Sequence, residues 1–93
     1  MTSRDLANII FNTNNEPFFC IFNKRTTGEV REMRAQLGVK KDLKGVGLPF
    51  VPKEHNLIVA FDLDKDGYRM IPIEGLLKVE YKGQIFEIEG DIE

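Results

Sequence analysis

Cysteine and histidine, the residues that organise most metal and nucleophilic sites, occur only once each in this chain of 93 residues. A single Cys20 excludes an internal disulfide, and with no Cys or His partner at ligand spacing it cannot assemble a zinc site. Its setting, "FFCIF", marks it as a small buried hydrophobe instead. His55 stands beside Lys53 and Glu54 in a loop-like stretch, and no Ser or Asp occupies a recognisable nucleophile motif. No catalytic residue, metal ligand or cofactor site is therefore assigned, and the chain is read as non-enzymatic. Long apolar runs are missing too: nothing approaches the ~20 residues that a bilayer span requires. The opening "MTSRDLANIIFNTNN" lacks the basic region, extended apolar stretch and small-residue cleavage site of a secretory signal. A cytoplasmic protein without membrane association is the expectation.

What the chain does have is charge, unevenly spread. Residues 23 to 53 carry eight Lys or Arg against Glu29, Glu32 and Asp42, a net +5. From Glu54 onward ten Asp or Glu stand against Lys65, Arg69, Lys78 and Lys82, a net −6. Two arrangements fit: opposite basic and acidic faces, or neutralisation of one segment by the other across strands.

The length allows one domain with a modest core. In "TSRDLANIIFN", Thr2 or Ser3 can cap a short helix, Asp5 falls in its first turn, and Leu6, Ile9 and Ile10 follow helical spacing. "NTNNEP" is a turn, and "FFCIFNK" is an aromatic, β-branched strand from about Phe18 to Lys24. "GEVREMRAQLG" satisfies two periods. Thr26 with Glu29 resembles a capping box and Val30, Met33 and Leu37 a helical stripe. Strand alternation would instead turn Met33, Ala35, Leu37 and Val39 inward and Arg31, Glu32, Arg34 and Gln36 outward, with the first step out of phase. "GVKKDLKGVGLPFVPKEHN" is too rich in Gly and Pro for one regular element. "LIVAFDL" and "YRMIPI" are strands, "EGLLKV" is a short turn, and "EYKGQIFEI" is a last strand or a hairpin containing Lys82-Gly83.

Between the first two of these lies "DLDKDG". Its alternate aspartates Asp62, Asp64 and Asp66 followed by Gly67 imitate the start of an EF-hand loop. The twelfth position is Ile73 where a bidentate Glu is needed, and strands flank the acids, so Asp66-Gly67 is read as a hairpin turn. Tyr68 is expected to pack inward, with Arg69 projecting outward or clamping a nearby carboxylate.

Residues 22 to 79 resemble small phage-encoded proteins described as SH3-like β-barrels, through Arg31 and Met33, "GVKKDLKGVGLPFVP", "VAFD" and "GYRMI". The resemblance implies that "GEVREMRAQL" is a strand, in a mainly β, small α+β fold: a five-stranded antiparallel SH3-like barrel over 17–89, preceded by the helix and turn of 1–16 and followed by the acidic tail 90–93. It implies a phage setting, with the cytoplasm of an infected bacterium as location, and no activity.

Two functions of different class remain. The first is a phage-type accessory binding module that engages a host or phage protein through loops or an exposed strand edge. The alternative is DNA or RNA binding through the basic Gly-rich loop 38–53. There Lys40, Lys41 and Lys44 precede Gly45 and Gly47, Phe50 offers a stacking surface, and Arg31, Arg34 and Arg69 extend the cationic set. The loop equally reads as a barrel crossing whose lysines are solvated and whose Leu48 and Phe50 fill an end. Phe18, Phe19, Phe22 and Phe61 are expected in the core, which leaves few aromatics to stack bases and favours the protein partner.

Overall fold

The computed structural model describes residues 1–39 and 56–88. Its first element is a helix, α1 (Ser3–Phe11), started by the expected cap. The Thr2 hydroxyl accepts from the Asp5 amide at 3.2 Å and the Asp5 carboxylate accepts from the Thr2 amide at 2.9 Å. That reciprocal pair satisfies two donors that no helical carbonyl can reach, and the Thr2 backbone N–H holds the Asp5 carboxyl below its ordinary pKa. Leu6, Ala7 and Ile10 form the buried face of α1.

Six strands follow: β1 (Phe18–Asn23), β2 (Val30–Gln36), β3 (Leu57–Asp62), β4 (Gly67–Pro72), β5 (Leu76–Tyr81) and β6 (Gln84–Glu87), with a 3-10 turn at Ile73–Gly75. They make one antiparallel sheet in the order β4-β3-β2-β1-β5-β6. The protein is thus mainly β with one short helix. Among the described residues the sheet is open, with β4 and β6 at its ends, rather than a closed five-stranded barrel. The sixth strand arises because "EYKGQIFEI" folds back on itself. Lys82 (φ 52°) and Gly83 (φ 79°) both adopt the left-handed conformation of a two-residue hairpin, and Gln84–Glu87 pairs with β5.

β1 is the centre. It pairs along its length with β2 and, across a bulge between Ile21 and Phe22, with β5. Strict alternation sends Phe18, Cys20 and Phe22 inward and leaves Phe19 and Ile21 half-buried on the other face. β2 is a strand, as the resemblance implied, with Met33 and Ala35 in the core.

β3 meets β2 at only two residue pairs, Ala35↔Asp62 and Gln36↔Phe61. Past this corner the β3–β4 hairpin turns back over the inner face, so Ile58, Ala60 and Ile71 join Phe22, Met33, Leu76 and Val79 in one core, completed by α1. Phe22 consequently borders the same recess as Leu57, Met70 and Pro72. At the far end the 3-10 turn presses on β1. A Cβ on Gly75 would lie 2.5 Å from the backbone oxygen of Asn23, so no other residue fits without displacing that strand.

Cys20 is buried as expected. Loss of water, helped by the nearby Asp62 charge, pushes its thiol up to about 12, which removes the thiolate as a nucleophile at neutral pH.

The facing of Tyr68 differs from the sequence reading. Tyr68 pairs in register with Phe61, on the face opposite Ile58, Ala60 and Ile71. It is half-buried there, edge-on to the Phe61 ring at 5.2 Å, and its hydroxyl donates to the Val39 carbonyl. Arg69 takes the position in phase with Ile71 and, as expected, clamps a nearby carboxylate, that of Asp62. Because Arg69 shares the face of the buried Asp62, alternation leaves its neighbour Tyr68 on the other one.

Candidate functional site

The acidic turn is the most highly organised polar cluster among the described residues. Asp62 is 4% exposed. Its Oδ1 accepts from the backbone N–H groups of Asp64 and Lys65, both at 3.0 Å, and its Oδ2 lies 3.7 Å from Arg69 Nε. Two amide dipoles and a guanidinium are what a carboxylate needs in order to be buried at all. Asp66 (φ 55°) takes the left-handed step that closes the β3–β4 hairpin, and the Leu63 amide ties the turn to the Arg34 carbonyl at 2.9 Å. The Asp62 carboxylate is therefore spent on the turn itself. No group of three or more His, Cys, Asp or Glu that could hold a metal ion occurs among the described residues.

The same turn decides the fate of the strand arginines. Arg34 donates from Nε and Nη2 to Asp64 Oδ1, at 3.3 and 3.1 Å, while Arg69 sits over Asp62. Arg25 lies 3.6 Å from Glu74. Basic and acidic segments thus neutralise one another across strands at these points. Arg31 is half-buried, in register with Phe22 and in phase with Met33 and Ala35, so it and Arg34 lie on opposite faces of β2. An outward Arg31 would have required an irregular first step, and β2 alternates regularly. Of the proposed cationic surface, Arg34 and Arg69 each meet an aspartate of the β3–β4 turn, while Arg31 lies on the other face of β2 from Arg34. Lys40, Lys41, Lys44 and Phe50, with His55, lie outside the described residues.

Two further surfaces stand out: an exposed strand edge, which was expected but not located, and a sheet face that the sequence reading missed. One is the outer edge of β6. A two-residue hairpin closes on a hydrogen-bonded pair, here Tyr81 with Gln84, and pairs then alternate. The Ile88 amide donating to the Leu77 carbonyl at 3.1 Å keeps that phase. The backbone groups of Ile85 and Glu87 therefore point away from β5 and meet no described strand. Ile85 is also 60% exposed.

The other surface is the outer face of β2, β1 and β5. In register across it run Arg34, Phe19 and Glu80, then Glu32, Ile21 and Lys78. An open depression of about 250 Å³ borders Phe19, Arg34, Leu63, Glu80 and Lys82. Phe19 and Ile21 were missed because a run of "FFCIF" hides its alternation: every second residue is apolar on both faces. Glu32 and Lys78 could be found only through the strand register. No helix among the described residues is long and apolar enough to cross a membrane. No family model matches the chain, and no curated protein or solved structure matches it.

Proposed function

We propose that this protein is a non-enzymatic binding module, an SH3-like accessory protein of phage type that engages a host or phage protein by pairing an extended segment of the partner with the outer edge of β6. One observation carries the reading. The sheet ends at β6 with the outward N–H and C=O groups of Ile85 and Glu87 unpaired among the described residues, flanked by the exposed Ile85 side chain. Main-chain hydrogen bonds to such an edge supply affinity, and alternate side chains supply selectivity. The pairing of Arg34 with Asp64 and of Arg69 with Asp62 supports a protein partner over a nucleic acid, because those cations already have carboxylates.

The test uses Ile85→Pro, since proline at an outward-facing edge position removes one donor without breaking a bond to β5. Wild type should retain a protein from host extract after nuclease treatment, and Ile85→Pro should lose it while keeping its far-ultraviolet spectrum. The reading fails if retention needs nucleic acid. It fails too if the chain binds DNA or RNA with a salt slope near −0.9 per phosphate contact that a Lys40→Ala, Lys41→Ala, Lys44→Ala triple variant flattens.

A further inference from the structure

The outer face of β2, β1 and β5 has a charge pattern that complements itself. Its centre line is apolar: Phe19 and Ile21 on β1, both half-buried. At its four corners stand Arg34 and Glu32 on β2, then Glu80 and Lys78 on β5, so each row carries one charge of each sign and so does each side. Strand spacing and rise place these corners roughly 10 Å apart across the face and roughly 7 Å apart along it.

Consider a second copy laid face to face on the first about a two-fold axis lying in the interface. With the axis along β1, Arg34 meets Glu80 of the other copy, Glu32 meets Lys78, and Phe19 meets Phe19. With the axis across β1, Arg34 meets Glu32, Lys78 meets Glu80, and Phe19 meets Ile21. In both cases each of these four charges faces one of opposite sign and the apolar line is buried. A random set of four charges would seldom have that property, and an isologous contact requires it.

We infer that this face is the contact surface of a homodimer, two copies packing their outer sheets together. Existing pairs do not compete strongly. Arg34 reaches Asp64 through one carboxylate oxygen, and Lys78 and Glu80 lie 3.4 Å apart at the surface, leaving donors and lone pairs to spare. Glu32 is exposed and makes no ion pair with any described residue, so it is the charge that a second copy would satisfy anew. Three strands of about six residues present roughly 300 Å² per copy, roughly 600 Å² in total, which is well below the standard size of a stable interface. The dimer is therefore weak and concentration-dependent.

The face differs from the β6 edge, and the two can fail separately: the edge is tested by capture of a foreign protein, the face by self-association. Sedimentation of the wild-type chain between about 0.02 and 1 mM should show reversible dimerisation. Glu32→Lys should weaken it about tenfold or more, because two-fold symmetry uses the altered contact twice. Its melting temperature should stay near that of wild type, as for other exposed substitutions. The double variants then report the axis. Glu32→Lys with Lys78→Glu restores the dimer if the axis runs along β1, and Glu32→Lys with Arg34→Glu restores it if the axis runs across. A chain that stays monomeric throughout overturns the inference, whether or not another protein occupies the face. So does a dimer indifferent to Glu32→Lys, or one that neither double variant restores.

Discussion

The two faces of the central strands differ by a single step along the chain. On β1, Phe18, Cys20 and Phe22 are sealed against α1 and the β3–β4 hairpin, while Phe19 and Ile21, on the same strand, face outward and remain half-buried. The inner face is chosen for volume, and the buried charge at its corner, Asp62, is held by two backbone amides and Arg69. The outer face alternates sign around an apolar line and has no covering element among the described residues. An apolar residue therefore means different things on the two faces: inside it stabilises the fold, outside it is available to a second surface.

Truncation should separate the faces most sharply. Phe22→Ala, at a site 3% exposed, should cost about 3–5 kcal/mol, whereas Ile21→Ala next to it should cost about 1 kcal/mol. Urea melts of the two variants compare them directly. Equal losses would show that the outer face is as much a part of the core as the inner.

A smaller effect is expected at the corner where the inner face folds over. Asp62→Ala removes the acceptor for two amides and the partner of Arg69, and should cost about 2–3 kcal/mol. Asp62→Asn keeps an oxygen in the same place and should cost about 1 kcal/mol. If thermal melts found the two alike, the turn would be held by the Arg69 charge instead of by the amide bonds.

Cys20 gives an inner-face signal visible only in alkali. Its folded thiol keeps the proton to about pH 12, whereas an unfolded thiol loses it near its ordinary value of 9.0. Below that value the contribution is fully present. Above it the unfolded state gains by ionising, so stability falls as pH rises from about 9 toward 12, by up to ~1.4 kcal/mol per pH unit. Cys20→Ala should lack this increment, and the difference between the two pH profiles isolates it from the lysines and tyrosines that titrate in the same range. Parallel profiles would mean that Cys20 is not desolvated.

Much of the fold was legible because local signals agreed. Thr2 or Ser3 with Asp5 announced the helix start, Lys82-Gly83 allowed a hairpin, and Asp66-Gly67 announced one in place of a calcium loop. β2 was legible only through the family resemblance, since "VREMRAQ" satisfies a helical and a strand period equally. The corner was not legible at all. It depends on β2 and β3 pairing for two residues and then parting, and that is set by how the buried Asp62 and its turn pack, not by any periodicity. The arginine pairs were hidden for the same reason, because Asp64 is thirty positions from Arg34 and reaches it only after the corner forms. The pattern of the outer face needed two registers and a bulge before its charges could be placed.

The claim that the outer face is a contact surface is tested most directly by watching its side chains while the wild-type chain is diluted. In nuclear magnetic resonance spectra from about 1 mM down to about 0.02 mM, the Ile21 methyl and Phe19 ring signals should shift together along one binding curve. The Val79 methyl and Phe22 ring signals, one step away on the inner face, should stay nearly still. Signals independent of concentration, or shifts confined to Ile85 and Glu87 at the β6 edge, would contradict it.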